Sequence, residues 1–113
     1  DEQKLLKLLE KAAADKKDII ITTGGTGIGS RDITPEVVKK LLDKEIPGIM
    51  ELIRIKYGDE KPGALLSRSV AGTIDKSLVY TLPGSVSAVK EYLAEITKTL
   101  EHSLRMINDL DVH

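Results

Sequence analysis

The run Thr22-Thr23-Gly24-Gly25-Thr26-Gly27-Ile28-Gly29-Ser30-Arg31-Asp32 gathers glycine backbone, hydroxyls, a cation and a carboxylate in one short stretch. Glycines let the main chain come close to an anion, and unpaired amides with the Thr22, Thr23, Thr26 and Ser30 hydroxyls can hold its oxygens. The helix start at Thr34-Pro35-Glu36 adds positive potential. That is phosphate-binding chemistry, and a purely structural turn is the alternative. No Gly-Lys-Ser/Thr follows, so the loop is not a Walker A element. Gly25-Thr26-Gly27-Ile28-Gly29-Ser30 misses the dinucleotide pattern at its last position.

Asp32 suits a carboxylate that stays ionised and holds Mg²⁺ on a phosphate, or else a turn aspartate. Arg68, between Ser67 and Ser69, reads either as a phosphate clamp or as an ordinary edge-strand arginine. Pro83-Gly84-Ser85 repeats the logic of the first loop more weakly, offering amides and one hydroxyl at a helix start. His102 and His113 have no partner acids at ligand spacing and read as solvated.

These residues need elements to hold them. Leu5, Leu8, Leu9, Ala12 and Ala13 recur at helical spacing over residues 2 to 14, with Asp1 as a cap. Ile19 to Thr22 lacks alternation and reads as a strand covered on both faces. After the loop, Thr34 is the expected N-cap, with Pro35 at the first helical position. A segment broken at Ile46-Pro47-Gly48 runs on to a stop at Gly58. Ala64 to Val70 and Lys76 to Leu82 are predicted strands joined through Gly72-Thr73-Ile74-Asp75, and a long helix starts near Ser87. The order implies helices on a mostly parallel sheet, with both glycine turns at carboxyl ends of strands and facing one pocket. Three strands make a thin sheet, as if the domain were incomplete or finished by another chain.

Composition narrows the classes. A chain of 113 residues with 41% hydrophobic and 31% charged residues is one soluble globular domain. A net charge of -1 without a basic stripe argues against nucleic-acid binding, and no apolar run is long enough for a membrane span. Cysteine is absent, which excludes thiolate metal sites and a cysteine nucleophile. The charged N-terminus has no signal-peptide pattern, so the expected location is cytoplasmic.

Four blocks in order resemble the MoaB/MogA-type molybdenum cofactor biosynthesis proteins: Thr22 to Gly27 with Arg31 to Glu36, Ile46-Pro47-Gly48 with Glu51 to Arg54, Leu66-Ser67-Arg68 with Ala71-Gly72, and Leu82 to Ser85. The resemblance covers residues 1 to 113 as a single molybdopterin-binding domain lacking roughly the first third of the usual family domain. It implies a three-layer αβα sandwich and a homotrimer or homohexamer. It also implies molybdopterin as substrate, ATP as co-substrate with Mg²⁺, and adenylylation of the pterin's phosphate, with a non-catalytic binding or scaffold protein as the alternative. By position it assigns Asp32 and Asp1 as catalytic and Asp32 as the metal ligand. Thr23, Gly24, Gly25, Thr26, Gly27, Ser67, Arg68, Gly84 and Ser85 become the substrate-binding residues. Val86 stands where many relatives have proline. The related competence-damage and nicotinamide-nucleotide recycling domains fit the Thr26 and Arg31 to Pro35 residues less well.

Overall fold

A computed structural model describes residues 1–110. The elements are α1 (Glu2–Ala14), β1 (Ile19–Thr23), α2 (Thr34–Leu41), β2 (Lys44–Glu45), α3 (Pro47–Gly58), a 3-10 turn (Pro62–Leu66), β3 (Ala71–Ile74), β4 (Ser77–Leu82) and α4 (Val86–Ile107). The sheet runs β1-β4-β3-β2. Asp1 caps α1 as expected, accepting from the Lys4 amide at 3.3 Å.

β4 is the central strand, and every residue of it is buried. Its alternation divides the core. Val79 joins Leu9, Ala13, Ile20, Val37 and Val38 on the α1/α2 side. Leu78, Tyr80 and Leu82 join Met50, Ile53, Tyr92 and Ile96 on the α3/α4 side. Helices on both faces make the three-layer αβα arrangement that the family resemblance implies.

The sheet itself is mixed rather than mostly parallel. β1 pairs parallel with β4, whereas β3 with β4 and β2 with β3 are antiparallel. The reason is a tight hairpin. β3 and β4 are joined at Asp75-Lys76, where Asp75 adopts a positive φ of 51° and its amide donates to Asp43 Oδ2 at 2.7 Å. The predicted connection at 72–75 is therefore mostly strand, and the predicted strand at 64–70 is instead the 3-10 turn followed by extended chain. Gly72 lies within the paired strand, so close to β2 that a Cβ there would strike the Lys44 carbonyl. The two-residue strand β2, exposed at both positions, carries no strand pattern in the sequence.

β1 lies at one end of the sheet order, and it is covered on one face rather than on both as expected: Ile20 is buried, while Ile21 is 44% exposed. Thr34 is not the N-cap of α2. Ile33 takes that place, and the Thr34 hydroxyl donates to the Gly24 carbonyl at 3.1 Å.

On the far face, α3 is tied to α4 through Glu95, whose side chain is 4% exposed. Its carboxylate accepts from Lys98 Nζ at 2.9 Å, Tyr57 Oη at 2.7 Å and Lys56 Nζ at 3.0 Å. These bonds, that from Lys98 first, lower its pKa from 4.5 to about 2. A carboxylate depressed in the folded state stabilises the fold fully above its unfolded pKa, and that contribution is lost as pH falls through the folded value. Thermal melts should show Glu95→Gln less stable than wild type at pH 7, with the difference closing between about pH 4.5 and 2. A gap independent of pH would contradict this role.

Candidate functional site

β1 and β4 run parallel and in register, Thr23 opposite Leu82, so the glycine turns that follow them leave the sheet side by side. The Gly24 amide donates to the Leu82 carbonyl at 2.8 Å, one further rung beyond the strands. A Cβ on Gly84 would lie 3.5 Å from the Gly24 Cα. Both turns open into one cleft of roughly 270 Å³ lined by Gly25, Thr26, Gly27, Asp32, Ser67 and Gly84 among others. A shared pocket is what the strand order predicts.

The loop is held by its carbonyls. Gly24 O accepts from the Thr34 hydroxyl, Gly25 O from the Thr34 amide at 3.1 Å, Thr26 O from the Arg68 amide at 2.8 Å and Gly27 O from Arg68 Nε at 2.7 Å. In a trans peptide the N–H points opposite to the preceding C=O. The amides of Gly25, Thr26, Gly27 and Ile28 are thus turned away from Thr34 and Arg68. Among the described residues, those of Gly25, Thr26 and Gly27 donate to no protein acceptor. A run of unpaired amides is an anion cradle.

Two glycines bear on the shape of the loop. Gly25 has φ +72°, and a Cβ there would strike the Thr34 hydroxyl. A Cβ on Gly27 would lie 2.9 Å from Asp32 Oδ2, so the carboxylate packs directly over the loop. Asp32 is oriented by the Gly29 amide, which donates to Oδ2 at 2.9 Å.

Arg68 is placed differently from a phosphate clamp at a strand edge. Besides Gly27 O, its guanidinium donates to Asp32 O at 2.6 Å through Nη2 and pairs with Glu36 through Nη1. That bond to Arg68 also holds the Glu36 carboxyl below its ordinary range. The segment that carries Arg68 is itself fixed. Arg54 Nη1 donates to Ser67 O at 3.3 Å and Ser69 O at 3.2 Å, while the buried Thr81 hydroxyl accepts the Val70 amide at 2.8 Å. Tyr92 Oη lies 3.1 Å from Ser67 Oγ and donates to it.

Of the residues expected at the site, Gly25, Thr26, Gly27, Asp32, Ser67 and Gly84 line the cleft. Gly24 lies against Gly84, Thr23 is exposed at the end of β1, and Ser85 caps α4 by accepting from the Ala88 amide at 3.2 Å. Asp1 caps α1 and is not among the cleft residues. Thr22 Oγ1 is buried without a partner in β1 rather than aimed at the cleft lining. His102 is exposed on α4, and His113 lies outside the described residues. Sequence reasoning gave no role to Arg54 or Glu36, whose partners are distant in sequence and have no local signature.

Fold and cleft together define a three-layer α/β protein whose pocket is built from two glycine turns. The chain belongs to the molybdopterin-binding domain family: residues 1–102 match the family described as "Probable molybdopterin binding domain". It is 47% identical over 100 residues to molybdenum cofactor biosynthesis protein B of Staphylococcus carnosus, covering 87% of this chain and 59% of that one. The chain thus spans less than two thirds of that relative's length. Its fold is similar to the molybdopterin biosynthesis Mog protein of Mycobacterium ulcerans, with TM-score 0.89, 36% identity and coverage of 93% of this chain and 69% of that one. It is likewise similar to the tungsten cofactor synthesizing protein MoaB of Pyrococcus furiosus, with TM-score 0.85, 39% identity and coverage of 95% and 69%. These relatives place it with the MoaB/MogA-type proteins of molybdenum cofactor biosynthesis.

A lysine at position 68 keeps the charge but cannot span three acceptors with one planar fork. Arg68→Lys should broaden or shift the amide resonances of residues 24–32 in the ligand-free protein and weaken pyrophosphate binding about 10-fold. Unchanged spectra with lost affinity would make Arg68 a direct anion ligand instead.

Proposed function

We propose that the chain binds molybdopterin and adenylylates it with Mg-ATP. The observation that carries this reading is the row of unpartnered amides at Gly25 to Gly27 beside the Asp32 carboxylate. Phosphoryl-type transfer needs positioning and charge neutralisation more than a covalent nucleophile. The cleft offers amides, one carboxylate and the hydroxyl residues Thr26 and Ser67, which suits that demand.

In the proposed reaction a phosphate oxygen of molybdopterin bonds to the α-phosphorus of ATP. The bond from that phosphorus to the bridging oxygen breaks, and pyrophosphate leaves with the electron pair. The amides of Gly25, Thr26 and Gly27, with the Gly84 turn, hold the pterin phosphate, and Ser67 contributes its hydroxyl at the edge of the cleft. Arg68 and Thr34 keep the loop in shape. Thr23, Gly24 and Ser85 flank these groups, and Asp1 has a part only if substrate reaches the start of α1.

A cation fits here in one way. Among the described residues no group of three His, Cys, Asp or Glu side chains gathers to hold a metal. Asp32 is the one carboxylate among the residues lining the cleft, so water and substrate phosphates would complete the shell, as Mg²⁺ prefers. When bound, that ion neutralises phosphate charge.

The same reading includes a homotrimer or homohexamer and a cytoplasmic site of action. Among the described residues no helix is long and apolar enough to cross a membrane.

With purified protein, molybdopterin and Mg-ATP, adenylylated pterin and pyrophosphate should form in equal amounts. Asp32→Asn should lower turnover by roughly 10²-fold or more while pterin binding persists. Binding without turnover in wild type would make the chain a carrier, and normal turnover in the variant would remove Asp32 from the metal-holding role.

A further inference from the structure

A second hollow of roughly 200 Å³ lies beside the cleft, between the 3-10 turn and the start of α4. Gly63, Ser67 and Pro83 line both, so the two form one continuous groove. Its walls include Ala64, Ala88 and the side chains of Tyr57 and Tyr92. Tyr57 gives its hydroxyl to Glu95 at 2.7 Å, away from the groove lining, whereas Tyr92, which is 3% exposed, gives its own to the groove residue Ser67 at 3.1 Å. What the half-buried Tyr57 offers to the groove is therefore ring carbon, the surface a flat heterocycle packs on.

Two charged side chains also line this groove and meet each other: Lys61 Nζ lies 2.8 Å from Glu91 Oε2, with side chains 52% and 22% exposed. Lys is a donor only and ionised Glu an acceptor only. A ring edge that carries a carbonyl next to an N–H and an amino group can take over both bonds, carbonyl to Lys61 and the two donors to the two oxygens of Glu91. Adenine gives a carboxylate only its amino group.

We propose that this groove is the ring-binding half of the site, and that Glu91 with Lys61 reads the 2-amino-4-oxopyrimidine edge shared by pterins and guanine. The proposal rests on the reading of the glycine cleft as the phosphate-holding half. It assigns the adenine of ATP to a different place. Exchange of one charge-assisted contact for another makes the binding depend on Glu91 in a way that the fold does not, because the ion pair is partly solvated and adds little stability.

Calorimetry on the purified protein with 6-hydroxymethylpterin, GMP, AMP and inorganic pyrophosphate tests this. Glu91→Gln should weaken the pterin by about 10-fold or more, with Lys61→Met acting in the same direction, while pyrophosphate and AMP change by no more than about twofold. Retained pyrophosphate binding shows that the variants are folded. If GMP but not the pterin responds to Glu91→Gln, the edge reading stands with guanine as its source. Unchanged pterin and GMP affinities, equal losses for AMP, or no binding of either ring by wild type would overturn it. If wild type binds the pterin through Glu91 but ignores pyrophosphate, the phosphate cleft fails and the groove survives.

Discussion

Everything at the cleft depends on four carbonyls. Those of Gly24, Gly25, Thr26 and Gly27 are each occupied by a donor from Thr34 or Arg68. Peptide planarity then dictates where the intervening amides point. An anion cradle arises here because the opposite side of the backbone is fully bonded. Glycine supplies the conformations, and the two anchoring residues choose among them.

The anchors are only as good as their own supports. Thr34 is set by the start of α2, whose Val37 and Val38 are buried in the core with Leu9 and Ala13 of α1. Arg68 sits on an extended segment clamped by Arg54 from α3 and by Thr81 from the central strand. Core packing on both faces of β4 therefore bears on the shape of one short loop. The parallel register of β1 against β4 brings the Gly84 turn to the same place.

Local pattern made much of this legible. Helical periodicity gave α1, α3 and α4, and the strand-to-glycine-to-helix order gave the pocket and its position at the carboxyl ends of β1 and β4. Pairing was less legible. Ala71 to Ile74 is a strand because the Asp75-Lys76 hairpin folds it onto β4, while Ser67 to Val70 stays extended through side chains far away in sequence. Thr34 looked like a cap because capping is the local use of a threonine before proline. Its contact with Gly24 becomes available only when the loop closes back on α2. Arg68 reads from sequence as either a phosphate clamp or an edge-strand arginine, and its acceptors, the Gly27 and Asp32 carbonyls and the Glu36 carboxylate, are ones that no spacing rule reveals.

Membership of the molybdopterin-binding family and the geometry of the loop meet in the proposed picture of phosphate on the amides and a cation at Asp32, with the groove beside Tyr57 alongside. The most direct measurement is a crystal structure of the purified protein soaked with magnesium and ATP or a pterin phosphate. The account predicts phosphate oxygens within hydrogen-bond reach of the Gly25, Thr26 and Gly27 amides and a cation on Asp32. Ligand bound in a distant cleft, with those amides facing only water, would contradict it.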